Sequence, residues 1–205
     1  MSENKEHKLL ESARKIFMQY GIKSVNMDDM AKHLGMSKKT LYLYVKDKED
    51  LVNKTLLHHC SLEDHQITSI CNKGLNAIDE QFEIMYWVAE MLSNVHPSIL
   101  FDLQKHHPEV FNNMANHRDK TIYQCMLLNI KKGQKEGLYR KDLNPEIIVK
   151  YYTARVELVF DEKLFPQSIW NLAQIYTEIF KYHIRGIASE KGLVYLQEKL
   201  KTTKL

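Results

Sequence analysis

Three sets of side chains in this sequence are of kinds that do chemistry. One is a cationic and aromatic run, Lys38-Lys39-Thr40-Leu41-Tyr42-Leu43-Tyr44, with a further cation at Lys48. A second gathers metal-ligand types: His58, His59, Cys60, His65 and Cys71 fall within 14 positions, and His106 and His107 are adjacent. The third is two acid pairs, Asp28 with Asp29 and Asp161 with Glu162. Neighbours on a helix point about 100° apart, so neither acid pair can share a proton and His58 and His59 diverge. The acids read as helix caps and solvated surface. No Cys-x-x-Cys or His-Glu-x-x-His spacing is present, and Cys60 and Cys71, on one helix face, read as small buried apolar residues. No glycine-rich phosphate loop or Gly-x-Ser-x-Gly elbow occurs. No metal, no cofactor and no enzymatic activity are expected.

The lysine run points elsewhere. Ser37 is placed to cap a short helix, which puts Lys38 and Lys39 in its first turn, where the positive end of the helix dipole disfavours cations. No acid follows until Asp47. That choice suits an anionic partner. Leu41 and Val45 turn inward at i, i+4, leaving Lys39, Thr40 and Leu43 on one exposed face. Lys39 has the chemistry to donate to guanine O6 and N7, and Thr40 and Leu43 to touch a thymine methyl. Lys38, Tyr42, Tyr44 and Lys48 flank that face as phosphate contacts. Asn26, Met27 and Ser37, at two helix starts, complete the expected DNA-contact set. The same residue types also suit an ordinary solvated helix, and spacing alone leaves both readings open.

The elements that position this run are all helical. The chain has 205 residues, 44% hydrophobic and 27% charged, with 7 Gly and 4 Pro, a balance that favours a globular all-α protein. An apolar stripe at Leu9, Leu10, Ala13, Ile16, Phe17 and Tyr20 defines a first helix, stopped by Gly21. Asn26, with Asp29 three residues on, starts a short second helix that Gly35 ends. The spacing of Ala31 and Gly35 fits two helices crossing over a tight turn. Val25, Met30, Leu34, Met36, Leu41 and Val45 supply a small core, as a helix-turn-helix requires. The capped third helix is expected to run from Ser37 through Tyr44. Asp47 caps a long helix to about residue 72. Further helices are expected over about 75–95 (ending before Pro97), 98–105, 108–135, 145–163 from Pro145, 166–185 from Pro166, and 189–201.

Charge follows the same division. Residues 1–60 hold 11 Lys/Arg against 8 Asp/Glu, and residues 61–205 hold 18 of each, so the net charge of +3 lies entirely in the first part. The longest stretch free of Asp, Glu, Lys and Arg, Leu164 to Thr177, is too short and too polar to cross a membrane, and no membrane partner is expected. A polar, charged start and three cysteines, an odd number, suggest reduced thiols in a cytoplasmic protein.

The stretch from Lys8 to Leu51 resembles the N-terminal DNA-binding domain of the TetR family of bacterial transcriptional regulators. ARKIFMQYG, IKSVNMDDMAKHLGMSKKTLYLYV and the closing KDKEDL carry the likeness. The family ending, Tyr-x-Tyr/His-Phe-x-x-Lys-Glu-x-Leu, is matched at Tyr42, Tyr44, Lys48, Glu49 and Leu51. Val45 replaces the usual Phe and remains apolar at an inward position. The resemblance implies a helix-turn-helix domain over residues 1–50 and a helical effector-binding and dimerisation domain over 51–205. It implies a homodimer that binds a palindromic double-stranded operator, acts as a repressor and is released by a small-molecule effector.

Composition adds to this. The last long helices carry more apolar surface than one face of each needs, so Tyr151, Val159, Phe160, Trp170, Tyr176 and Phe180 are expected at a dimer interface. Met85, Tyr86, Phe101, Met114, Tyr123, Met126, Tyr152 and Val156 suit an adaptable apolar pocket for a largely apolar ligand, and equally suit plain core. The alternative is a helical ligand-binding or protein-partner module without sequence-specific DNA binding.

Overall fold

The computed structural model describes residues 2–96 and 98–202, apart from the side chains of residues 2, 3, 118, 156, 157 and 202. Pro97, expected to close the helix before it, lies outside the described residues. Among those described, ten α-helices follow in order. They are α1 (Ser2–Tyr20), α2 (Met27–His33), α3 (Lys38–Leu41), α4 (Lys48–Cys71), α5 (Ala77–Ser93), α6 (Ser98–His106), α7 (Pro108–Glu136), α8 (Pro145–Leu158), α9 (Leu172–Ile187) and α10 (Glu190–Thr202). The described residues contain no strand; an isolated antiparallel bridge joins Tyr139 to Ala188. The fold is all-α, and no described helix is long and apolar enough to cross a membrane.

Two compact units are present: Met1–His65 with Asn94–Arg118, and Gln66–Ser93 with Asp119–Leu205. These are units of packing, a different property from the division of labour at residue 50 that the sequence suggests. In the first unit α1 contributes Leu9, Ala13 and Phe17 to one core. Val25, Met30, Leu41 and Val45 join them from the helix-turn-helix, Leu51, Val52 and Leu56 from α4, and Ile99 and Leu103 from α6. Burial of such side chains contributes about 1.5–3 kcal/mol each, so this core holds the short α2 and α3, which are too brief to persist alone.

In the second unit α5 packs on α9 through an edge-to-face contact of Phe82 and Phe180, with ring centroids 5.3 Å apart. A polar network sits beside it. Glu80, on α5, accepts from Asn129 Nδ2 and Lys132 Nζ, both at 2.7 Å. Tyr139 donates its hydroxyl within 3.1 Å of the Ala77 carbonyl and Asn129 Oδ1. The Tyr139 ring lies flat against Gly133 so closely that a Cβ there would overlap it.

Three helix boundaries differ from the sequence reading. The helix expected over Ser37–Tyr44 is α-helical only over Lys38–Leu41. Beyond it Leu43 N–H and Tyr44 N–H donate to Thr40 and Leu41, three residues back, so the chain tightens into 3₁₀-like turns that bring Val45 inward. The helix from Pro145 stops at Leu158, well before residue 163, because the Asp161 side chain caps a turn at the Lys163 and Leu164 amides. Pro166 opens a turn, with Ile169 and Trp170 amides donating to its carbonyl, and α9 starts only after the Asn171 cap.

Candidate nucleic-acid interface

The helix-turn-helix is built from two reciprocal devices. Asn26 Oδ1 accepts from the Asp28 and Asp29 amides, both at 2.9 Å, while Asp29 Oδ2 takes the Asn26 amide, completing a capping box. Removing such a cap costs about 1 kcal/mol. At the turn, Gly35 stands at φ +65°, a left-handed conformation that other residues enter at a cost, and the Met36 amide donates to the Ala31 carbonyl at 3.0 Å. Ala31 is buried, its small side chain admitting the neighbouring helix. Ser37 Oγ accepts from the Thr40 amide at 3.0 Å and lies 2.8 Å from Thr40 Oγ1.

On this frame Ser37, Lys38, Lys39, Tyr42 and Leu43 are exposed, and Thr40, Tyr44 and Lys48 half-buried. Leu43 is 78% exposed, the most exposed of the large hydrophobic residues among those described. Such a side chain gains nothing from the fold. Lys38 reaches back to Asp28 at 2.9 Å, and this hydrogen bond raises its pKa, so its charge is shared with an acid of α2. Lys48 Nζ lies 3.4 Å from the Lys23 carbonyl, and burial lowers its pKa against the opposing field of Asp102. Tyr44 leans on the core, and its carbonyl accepts from Lys54 Nζ at 2.6 Å.

Met27, expected among the contacts, is instead the first residue of α2 with its side chain in the core and 9% exposed. The Asn26 cap turns the chain so that Met27, Met30 and Ala31 share the inner face. Asn26 is exposed, and its carboxamide oxygen is committed to the cap.

Sequence reasoning missed one positioning residue of this unit. Asp102, on α6 and only 4% exposed, accepts from the Lys23 amide at 2.9 Å and from Ser98 Oγ at 3.3 Å. It thereby holds the turn that leads into α2. Nothing local in the sequence marks a pairing across 79 positions.

Residues 9–55 match the family profile of bacterial regulatory proteins of the tetR family. Over the whole length, the chain is 23% identical across 189 residues to the HTH-type transcriptional regulator YvaF of Bacillus subtilis, covering 91% of this chain and 97% of that one. Residues 9–55 therefore form a DNA-binding domain of the TetR type. The chain as a whole shares its fold with a transcriptional regulator from Cytophaga hutchinsonii, at TM-score 0.71 and 18% identity over 88% of this chain and 97% of that one. It also shares it with the regulator FadR of Bacillus subtilis in complex with stearoyl-CoA, at TM-score 0.65 and 14% identity over 87% and 97%.

The effector and dimer residues expected from sequence fall in several environments. In the second unit Met85, Met126 and Tyr152 are buried, Tyr123 is half-buried, and Tyr86 borders on exposed. Phe101 and Met114 belong to the first unit, where Lys105 Nζ stands 5.1 Å from the Phe101 ring and Met114 packs on the core. The side chain of Val156 is not among those described. Val159, Tyr176 and Phe180 are buried within the chain itself, Phe160 is half-buried, and Tyr151 and Trp170 are exposed. Ile147, Tyr151 and Leu158, on α8, and Tyr182, on α9, are exposed apolar side chains.

An open cavity of about 640 Å³ lies along α8 and α9, lined by Tyr151, Arg155, Tyr182 and His183 among others. Arg155 and His183 are 8% and 5% exposed, and Arg155 Nε and Nη2 and His183 Nε2 have no hydrogen-bond partner among the described residues. The Arg155 guanidinium lies 5.0 Å from the centre of the Tyr152 ring. Burial, reinforced by Arg155, lowers the pKa of His183 to about 3. An arginine following two adjacent tyrosines, Tyr151 and Tyr152, was the available sequence signal.

Proposed function

We propose that this TetR-family regulator is a repressor that binds a palindromic operator as a homodimer and leaves it when a small, largely apolar ligand binds the helical domain. The observation that carries the reading is the face of Lys39, Thr40 and Leu43, in which an apolar side chain 78% exposed stands beside an exposed cation, with Thr40 half-buried next to them. That pairing matches the edges a major groove presents, hydrogen-bond acceptors next to thymine methyls. Lys38, Tyr42, Tyr44 and Lys48 flank it as phosphate contacts, with Ser37 and Asn26 at the two caps. Lys38 exchanges Asp28 for a phosphate on binding.

Homodimerisation supplies the second recognition element, about 34 Å away along the duplex. The exposed Ile147, Tyr151 and Leu158 of α8 and Tyr182 of α9 favour a second copy docking on this pair of helices. Exposed Trp170 extends the same apolar character. Effector binding is assigned to the second unit, around Met85, Tyr86, Tyr123, Met126 and Tyr152, whose methionines and aromatics suit an acyl or aromatic body. The stearoyl-CoA held by the FadR of Bacillus subtilis gives a first probe of that chemistry.

The test is a titration of the full chain against a selected duplex, read by fluorescence anisotropy and light scattering. Two protomers per duplex, with anisotropy falling on addition of stearoyl-CoA, are expected. One protomer per duplex would overturn the dimeric reading, and DNA binding indifferent to acyl and aromatic ligands alike would overturn release.

A further inference from the structure

Sequence spacing groups Cys60 with Cys71, but the fold separates them in character. Cys60 is 2% exposed and sits in the chain as a small apolar residue. Cys71, the last residue of α4, is half-buried and faces a different partner. Its Sγ lies 4.0 Å from Sγ of Cys125, on α7, across 54 positions of sequence. Both are free thiols in the same compact unit. Neither contributes to the DNA-facing surface, and no packing requirement explains two partly accessible sulfurs set against each other.

We propose that Cys71 and Cys125 form a redox-modification site at which a hydroperoxide converts the two thiols into an intramolecular disulfide. A disulfide needs its sulfurs about 2.05 Å apart, so they must close by about 2 Å. Rotation about the Cα–Cβ bonds moves a sulfur by such an amount between staggered positions.

The two sulfurs have unequal roles. Cys71 is the less buried, and a hydrogen bond from Cys125 lowers its pKa, with Lys132 acting in the same direction and Glu80 against it. Glu80 is itself bound to Lys132 Nζ at 2.7 Å, so its charge is largely matched. The pKa of Cys125 is raised, first by the interaction with Cys71 and then by burial. Cys71 is therefore the thiolate that attacks the terminal peroxide oxygen. The O–O bond breaks, the alcohol or water leaves, and Cys71 becomes a sulfenic acid. Cys125 then attacks the Cys71 sulfur, the S–S bond forms, and the sulfenic oxygen departs as water with the Cys125 proton. Two thiols together lose two electrons, which the peroxide takes up. Intracellular disulfides of this kind are typically transient and reversed by a dithiol.

The experiment is thiol mapping on the full-length wild-type protein. The reduced chain is exposed to hydrogen peroxide, free thiols are alkylated, and peptides are identified by mass spectrometry beside a non-reducing gel. The expected product is a monomer-sized species in which the Cys71 peptide is joined to the Cys125 peptide, cleaved by dithiothreitol, with Cys60 still alkylated. In Cys125→Ser, Cys71 is expected to stop at a sulfenic acid trapped by dimedone. In Cys71→Ser, which removes the attacking thiol, Cys125 is expected to stay alkylatable over the time in which it becomes linked in the wild type. Both variants are isosteric, and far-UV circular dichroism checks their folding, while the wild-type map decides the matter without them. Cys71 and Cys125 both remaining alkylatable, Cys60 reacting as fast, or a crosslink formed only between chains would each overturn the proposal.

Discussion

Replacing Asp102 tests how the turn into the helix-turn-helix is held. Its carboxylate is nearly out of solvent and accepts from the Lys23 amide at 2.9 Å and from Ser98 Oγ at 3.3 Å. Asp102→Ala removes Oδ2, the single oxygen that accepts both bonds, and leaves the Lys23 amide without its partner. A hydrogen bond to a charged group contributes about 1.5–3 kcal/mol. The carboxylate also stabilises the Lys48 ammonium, whose pKa burial otherwise lowers. Against these stands the relief of desolvating one carboxylate, so a net loss of about 2 kcal/mol is expected. Asp102→Asn keeps an acceptor oxygen without the charge, and about 1 kcal/mol is expected there. Urea unfolding at pH 7 and fixed protein concentration measures both, with an unchanged slope and a lowered midpoint. A loss below about 0.5 kcal/mol in Asp102→Ala, or equal losses in the two variants, would refute the assignment of a specific acceptor role.

Three other outcomes follow from the same geometry. Lys39→Ala is expected to relax base preference at one operator position by about 1–3 kcal/mol, measured by competition among single-base duplex variants; an equal loss on every duplex would place Lys39 on phosphate instead. Gly133→Ala drives a Cβ into the Tyr139 ring and is expected to cost about 3 kcal/mol or more, read as a lowered unfolding midpoint, whereas near-wild-type stability would show that the ring moves freely. His183 titrates at about 3 when folded and 6.5 when unfolded, so the unfolded chain binds the proton first as pH falls. Its contribution to stability is constant above pH 6.5 and is lost toward pH 3, at about 1.4 kcal/mol per pH unit. His183→Gln is expected to flatten that slope, and an unaltered slope between pH 6.5 and 4 would contradict the buried neutral state.

Local signals were read from the sequence where the chemistry is local. The Asn26 and Asp29 capping box, the Gly35 turn and the Ser37 cap each depend on residues within four positions, and the structure places them as expected. Met27 escaped because one residue decides which face a short helix buries, and the Asn26 cap sets that register. The ends of α8 and the start of α9 escaped for another reason. Pro145 and Pro166 look alike in sequence, yet only Pro145 sits at a first helical position, while the Asp161 and Asn171 side chains divide the region into turns. Asp102 with Lys23 and Cys71 with Cys125 pair across 79 and 54 positions. No periodicity encodes such pairs; they exist only once the helices have packed.

On the proposed reading, Lys39, Thr40 and Leu43 recognise DNA sequence. Selection of duplexes from a random pool by the full-length protein, at about 150 mM salt where nonspecific phosphate binding is weakened, tests it most directly. The expected product is an inverted repeat whose half-site centres lie about one helical turn, or a multiple of it, apart. A pool that emerges without enrichment would contradict that reading.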